Sequence, residues 1–451
     1  MISSLEDTIV SVSTAPGRAA VALIRLSGPG ALTIAAKHVT PWETEPRRAH
    51  LATVHQDGEP LDQALVTVFP GPDSFTGDDV VEISTHGGLL VPASVVAALI
   101  ASGARQAQPG EFTRRAVLSG KLDIIQAEAI GDLIDAHSHS MRRAALQQLD
   151  AGLSRRLAAL REDLIGLEAL IAYDIDFPEE DDGPVPREKI ETAARTVAAL
   201  LDALLATAPI GELIREGAVV VIAGAPNVGK SSLFNALIGK SRAIVTEIPG
   251  TTRDAIEAVI DSGTWPLRLV DTAGLRATHD TIEQMGIEVS ERYLAAAHVV
   301  LACSDTDAGV EEAALTVGKT TTAPLVKVRT KIDLVSLSNQ LKLDPGVMHV
   351  SAQTGAGLVQ LLAAIDHALA KQHGAIAPDT PMLTRARHRH ALQAARAELA
   401  QFESAWKEDK LPATVASVHL RAAVGALEEL IGAVDVEDVF DRVFSSFCVG
   451  K

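Results

Sequence analysis

Residues 217–239 read GAVVVIAGAPNVGKSSLFNALIG, and this stretch decides the fold. GAVVVIAG is an apolar run bounded by glycines, the mark of a strand buried on both faces. GAPNVGKS (Gly224 to Ser231) continues it and fits the pattern G-x-x-x-x-G-K-S, and SLFNALIG then reads as a helix. Strand, glycine-rich loop and helix in that order make a phosphate cradle. The glycines let backbone N–H groups face phosphate oxygens, Lys230 reaches the β- and γ-phosphates, and the Ser231 hydroxyl takes Mg2+. Onward from about 216, the strand-like segments PLRLVDTAG, HVVLAC, APLVKVRTKID and VMHVSAQ alternate with helical stretches. That alternation predicts a mostly parallel sheet with helices on both faces.

Further motifs follow in order. GTTRD, about twenty residues beyond the loop, puts Thr252 where it completes the magnesium shell once its segment closes over the γ-phosphate. DTAG ends the next strand candidate, with Asp271 near the metal and the Gly274 N–H near the γ-phosphate. TKID (330–333) and SAQ (351–353) set base choice: the Asp333 carboxylate accepts from guanine N1–H and the 2-amino group, a pairing that adenine cannot return. Thr330 stands where this motif usually carries Asn. Its hydroxyl is expected to keep a polar contact, at some cost in affinity. Alone, an Asp in TKID could equally cap a helix, but four ordered motifs argue for the base site. Leu275, in DTAGLR (271–276), occupies the place where a small GTPase has its water-orienting glutamine. A leucine cannot hold a water, so this chain either does not hydrolyse nucleotide or does so with other groups.

Around that segment the texture changes twice. Residues 1–118 carry short β-rich runs (DTIVSVST, AAVALIRLSG, ALVTVF, DDVVEISTHGG) broken by Gly/Pro turns and read as an α+β domain. A helical pattern covers 119–215, the α/β segment 216–375, and helix resumes over 376–451 with VHLRAAVGALEELIGAV as its clearest element. Leu146, Leu149, Leu153, Leu157, Leu160, Leu164, Leu167 and Ile171 fall on one stripe of a single long expected helix, a packing face. The acidic run DIDFPEEDD (174–182) breaks it at Pro178 and reads as a solvated loop rather than a cation site.

At 451 residues the chain is long enough for two to four domains, 47% hydrophobic but only 3% aromatic, which suits Leu- and Ala-rich helices. A net charge of −18 argues against gripping nucleic acid through a large basic surface of its own. Cys303 and Cys448 are the only cysteines and lie far apart in sequence, which suggests neither a disulfide framework nor a thiolate zinc site. The start lacks the layout of a signal peptide, and no apolar run nears the ~20 residues of a membrane span. A cytoplasmic protein is expected. His86, in STHGG, reads as a structural histidine beside a turn.

From end to end the chain resembles the MnmE (TrmE) family of tRNA-modification GTPases. The likeness rests on DTIVSVSTAPGRAAVALIRLSG, GEFTRRAVLSGKLDIIQAEAIGDLI, PNVGKSSLFNAL, TEIPGTTRD, DTAGLR and the terminal FSSFCVGK. It implies a P-loop GTPase, Ras-like, inserted in an all-helical domain and preceded by an α+β folate-binding and dimerisation domain. It also implies a homodimer working with an MnmG/GidA-type flavoprotein, in a heterotetramer or larger assembly, with tRNA held mainly through that partner. Together they would build a carboxymethylaminomethyl or aminomethyl group on C5 of the wobble uridine from a tetrahydrofolate one-carbon unit, 5-formyltetrahydrofolate or a relative.

Carried over residue by residue, the resemblance puts GTP contacts on Asn227, Val228, Gly229, Lys230, Ser231 and Ser232, and on the next loop from Thr246, Glu247, Ile248, Pro249 and Gly250 to Thr251 and Thr252. More fall on Asp271, Thr272, Ala273 and Gly274, and on Thr330, Lys331, Asp333, Ser351, Ala352 and Gln353 around the base. Ser231 and Thr252 would hold Mg2+. Asn227, Thr246, Ile248 and Thr251 would hold K+, which in this family stabilises the transition state when two GTPase domains pair, and so replaces the missing glutamine. Glu283 would orient the attacking water through a second water; without the family it reads as a charge on the first turn of a helix. Folate contacts fall on Arg25, Glu82, Lys121 and Lys451, and Arg25, inside an apolar run, needs a ligand or an acidic partner. Cys448 is a functional position without an assigned mechanism, or a small packed cysteine. A regulatory switch controlling partner or ribosome assembly is the rival reading. The folate residues and FCVGK weigh against it, since a pure switch has no need of them.

Overall fold

The structure is a computed structural model and describes residues 6–176, 185–240, 256–271, 292–335, 344–374, 381–408, 413–432, 443–444, 447 and 450. The chain divides into two compact units, Met1–Gly131 with Glu428–Lys451, and Asp132–Leu427.

In the first unit the elements run β1 (Ile9–Val12), β2 (Val21–Ser27), α1 (Ala31–Ala36), β3 (Val39–Thr40), β4 (His50–Gln56), β5 (Glu59–Phe69), β6 (Val80–His86), α2 (Leu90–Ala101), β7 (Arg105–Gln106), α3 (Glu111–Leu118) and the start of α4 (Ile124–Ile134). The strands form one sheet in the order β3-β4-β5-β6-β2-β1-β7, antiparallel except where β1 meets β7. Period-two alternation explains its faces. In β2, Ala22, Ile24 and Leu26 are buried, and Ile24 and Leu26 share a core with Val81 and Ile83 of β6 and Val95 and Leu99 of α2. Arg25 and Glu82, at the intervening positions, fall on the opposite face and sit directly across from each other. His86 closes β6 by pairing its Nδ1 with Asp62 Oδ1 at 2.8 Å, while its backbone N–H donates to Asp62 Oδ2. This is the structural role expected of it.

The second unit continues through α5 (His139–Leu149), α6 (Gly152–Asp176), α7 (Arg187–Leu205), α8 (Ala208–Glu216), β8 (Ala218–Ala223), α9 (Lys230–Lys240), β9 (Ile256–Asp261), β10 (Pro266–Asp271), β11 (Val299–Ser304), α10 (Asp307–Val317), β12 (Leu325–Arg329), β13 (Met348–His349), α11 (Leu358–His373), α12 (Ala386–Glu408) and α13 (Ala413–Ile431). Its sheet has the order β13-β12-β11-β8-β10-β9, parallel apart from the β9–β10 hairpin. Every residue of β8 and β11 is buried. One sheet face packs Val220, Ile222 and Leu301 against Leu233 and Leu237 of α9 and Leu361 and Ile365 of α11. The other packs Val219, Val221 and Val300 against Val317 of α10. This is the mostly parallel sheet, helix-covered on both faces, that the alternation predicts.

The single long leucine helix is corrected to two. Leu153, Leu157, Leu160, Leu164, Leu167 and Ile171 line the buried face of α6, but Leu146 belongs to α5 and is 43% exposed. The chain turns at Asp150–Ala151, where Ala151 takes φ 57°, a left-handed conformation that a Cβ disfavours. Ala151→Gly is therefore expected to stabilise the protein by about 0.5–1 kcal/mol, seen as a higher urea midpoint; a lower midpoint would contradict a strained turn.

The apolar stretch 187–216 is, among the described residues, the one long and apolar enough to cross a membrane. It is interrupted between α7 and α8 and buries Ile190, Val197, Leu201, Leu204, Leu213 and Ile214 inside the protein, so it reads as a pair of core helices.

Candidate functional site

The phosphate loop leaves the carboxyl end of β8, between strands that continue to β10 on one side and β11 on the other. Open α/β sheets bind ligands at such a reversal of strand order. Gly224 has φ +152°, and a Cβ there would lie 2.1 Å from the carbonyl oxygen of Cys303, so only glycine fits. Asn227 is exposed and left-handed at φ 64°, a conformation its side chain tolerates. Lys230 is buried and lies along the loop, donating from Nζ to the Gly224 and Ala225 carbonyls at 2.9 and 2.8 Å. Ser231 stands in the first turn of α9. Asp271 is 1% exposed at the end of β10, opposite Ile222 of β8.

Burial pushes the Cys303 thiol up to about 12, with Lys230 pulling it down and Asp271 pushing it further. The thiol thus lies in the field of both charges and is inert as a nucleophile. A hydroxyl at Ser231 and a carboxylate at Asp271 are hard oxygen donors and suit Mg2+.

The TKID segment locks onto the phosphate loop. Lys331, left-handed at φ 54°, donates from Nζ to the Asn227 carbonyl at 2.7 Å and to Asp305 Oδ2 at 3.1 Å. Thr330, 3% exposed, donates its hydroxyl to the next carbonyl along, Val228. Asp333 sits on the 3-10 turn Ile332–Leu334, and its Oδ1 accepts from Ser351 Oγ at 2.6 Å. Ser351 is itself fully buried and takes the Thr354 N–H on the same Oγ, at 3.1 Å. The TKID segment and the SAQ turn thus hold one carboxylate in place.

A second polar cluster lies on the first unit's sheet. Arg25 donates from Nε (3.0 Å) and Nη2 (2.7 Å) to the same oxygen, Glu82 Oε1. Glu82 Oε2 and Arg25 Nη1 have no partner among the described residues. The Phe75 and Phe112 rings flank the guanidinium at 5.4 and 5.7 Å. Lys121 is exposed beyond α3, next to Gly77 in the Phe75 loop. At the other chain end, the Gly450 carbonyl accepts from Ser13 Oγ at 2.8 Å. With φ +100°, Gly450 presses so near Val12 that a Cβ would come within 2.5 Å of the Val12 oxygen.

The sequence profile of the GTP-binding protein TrmE N-terminus matches residues 8–121, and that of the MnmE helical domain matches residues 124–448, well over half of the chain. The chain belongs to the MnmE family. The tRNA modification GTPases MnmE of Moorella thermoacetica, Methylobacterium radiotolerans and Aquifex aeolicus are 41%, 44% and 38% identical to it, over 99% of this chain and 100%, 99% and 100% of their own. Among solved structures, the G domain of the T. maritima FeoB iron transporter is matched over 34% of this chain and 98% of its own at 27% identity, with a TM-score of 0.26.

Of the positions that MnmE resemblance marks, the structure gathers Asn227 to Ser232, Asp271, Thr330, Lys331, Asp333 and Ser351 to Gln353 at one end of the inserted sheet, and Arg25 with Glu82 on the other sheet. Thr246 to Thr252, Thr272 to Leu275, Glu283, Cys448 and Lys451 lie outside the described residues, as does the stretch 177–184 with Pro178. Phe75 and Phe112 were not read from the sequence as part of this MnmE cluster. The available signal was compositional: two of only 9 phenylalanines, one of them in the glycine-rich turn GPDSFTG.

Proposed function

We propose that this MnmE-family chain, a GTPase acting in tRNA modification, is switched on by K+ when two GTPase domains of a homodimer pair. With an MnmG/GidA-type flavoprotein it adds a carboxymethylaminomethyl or aminomethyl group to C5 of the wobble uridine. The nucleotide half is carried by one observation: consecutive phosphate-loop carbonyls, of Asn227 and Val228, are tied to consecutive base-loop side chains, Lys331 and Thr330. Phosphate and base recognition therefore form one rigid unit, with GTP bound across it. Lys230 faces the β- and γ-phosphates, Ser231 and Asp271 sit by Mg2+, and Asp333 reads guanine. Asn227, exposed at the loop's apex, offers an amide oxygen for K+. Thr246, Ile248, Thr251, Thr252 and Glu283 keep the roles that the family implies.

The folate half rests on the Arg25–Glu82 cluster. Bound there, a tetrahydrofolate would supply the one-carbon unit. Glu82 Oε2 suits the donor edge of an aminopyrimidine, and Lys121 with Lys451 suits a carboxylate tail. In this reading 1–118 binds folate and dimerises, 119–215 and 376–451 form the helical domain, 216–375 is the GTPase, Cys448 is functional without an assigned step, and the protein is cytoplasmic.

The testing experiment is steady-state GTP hydrolysis by the full chain with Mg2+, in KCl and in NaCl at equal ionic strength. K+ is expected to raise kcat by about tenfold or more, as a fixed charge beside the developing phosphate charge should. Asn227→Ala should erase that difference. Equal rates in both salts would remove K+ from the proposal.

A further inference from the structure

We infer that Thr330 commits its only hydrogen to the phosphate loop, so that the site selects guanine without a side-chain donor to N7 and accepts nucleotides altered at N7 as readily as GTP. This rests on the reading of TKID as the base loop. A hydroxyl has one hydrogen to donate. That of Thr330 goes to the Val228 carbonyl, and among the described residues the other acceptor beside it is the Ser304 carbonyl at 3.2 Å, which already takes the Thr330 backbone N–H at 2.8 Å. Both N7 and O6 on the corresponding edge of guanine are acceptors. Toward them the hydroxyl has only lone pairs left, and lone pairs facing acceptors gain nothing.

Rotating the hydrogen outward would not help. The Val228 residue is 6% exposed, so its carbonyl would lose its bond in a buried place, at least offsetting a new bond to the base. Lys331 spends two of its three Nζ hydrogens on the Asn227 carbonyl and Asp305 Oδ2, which anchor the ammonium against the phosphate loop. The Ala352 backbone N–H, without a partner among the described residues, remains for O6. Discrimination then falls on the acceptor Asp333 at the Watson–Crick edge. An asparagine at 330 would differ in one respect that matters: its amide carries two hydrogens, one for Val228 and one for N7. Thr330 is thus a specificity-determining residue by what it withholds.

The test displaces N-methylanthraniloyl-GDP from the full-length protein with GDP or 7-deaza-GDP, which lacks only the N7 acceptor. For the wild type the two competitors are expected to bind within about twofold of each other, below the worth of one neutral hydrogen bond. Thr330→Asn should tighten GDP by about five- to tenfold and leave 7-deaza-GDP unchanged, opening a ratio of that size. Thr330→Ser, which keeps a single hydrogen, should hold the wild-type ratio.

A wild type that loses about fivefold or more on 7-deaza-GDP overturns the inference, as does a folded Thr330→Asn variant whose ratio stays at unity. The wild-type and Thr330→Ser measurements decide even if the Asn variant fails to fold. Asp333→Asn separates the underlying reading: if it leaves the guanine preference intact, the base-site assignment falls and this inference with it. If it moves preference to xanthine nucleotides while the wild type rejects 7-deaza-GDP, the Thr330 inference alone falls.

Discussion

Replacing Asp333 by asparagine is expected to weaken GDP binding by about a hundredfold or more and to turn the site's preference to XDP. Two charge-assisted hydrogen bonds, from guanine N1–H and the 2-amino group, are each worth about 1.5–3 kcal/mol. An asparagine oxygen still accepts one of them, uncharged, while its NH2 opposes the other donor, so the loss spans about two to three orders of magnitude. The carboxylate is well placed for that work. Ser351 fixes Oδ1 at 2.6 Å, the left-handed Lys331 turns the 3-10 segment outward, and Oδ2 has no partner among the described residues. An amide in its place offers a donor to xanthine's 2-carbonyl and opposes the guanine donor at that position. Asp333 is exposed, so the variant should melt like the wild type, and changed affinity would report the site rather than the fold. Competition of GDP and XDP for a fluorescent GDP decides it. Affinity for GDP within about threefold of wild type, smaller than one charged hydrogen bond, would mean that TKID is not the base loop.

What could be read from the sequence was what is local. The strand, loop and helix of 217–239 are encoded within one stretch, and the left-handed or crowded glycines of the phosphate loop follow from its pattern. The Asp150–Ala151 turn was invisible because alanine is the best helix former, and the leucine spacing runs across it in register. Only the backbone shows Ala151 at φ 57°. Arg25 announced a need for a partner without naming one, because Glu82 lies 57 positions away and meets it through strand register. Likewise the direction of the Thr330 hydroxyl depends on a carbonyl 102 positions upstream. Motif reading expected that hydroxyl to keep a polar contact without naming its partner. Long-range pairing turned it inward, and the consequence for N7 follows from that one bond.

The Arg25–Glu82 pair yields a prediction in which stability and ligand binding part company. Each side chain is partly buried, 16% and 24% exposed, so removing one partner leaves a half-desolvated charge. Glu82→Ala is expected to lower stability by about 1–3 kcal/mol and to weaken 5-formyltetrahydrofolate by about a hundredfold or more, since a carboxylate receiving paired hydrogen bonds is lost. Those effects alone would not distinguish a ligand site from a structural ion pair. Arg25→Met together with Glu82→Met does. Replacing a paired charge by apolar residues of similar size is often neutral or stabilising, and a methionine between the Phe75 and Phe112 rings makes favourable sulfur–aromatic contacts. The double variant should therefore melt at or above the wild-type temperature and still fail to bind the folate in a calorimetric titration. Wild-type affinity in that variant would move the folate site off this sheet face and leave Arg25–Glu82 as a structural pair. Loss of binding with stability intact would instead tie the unshared Glu82 Oε2 and Arg25 Nη1 to the ligand, because the fold would then have no need of either charge.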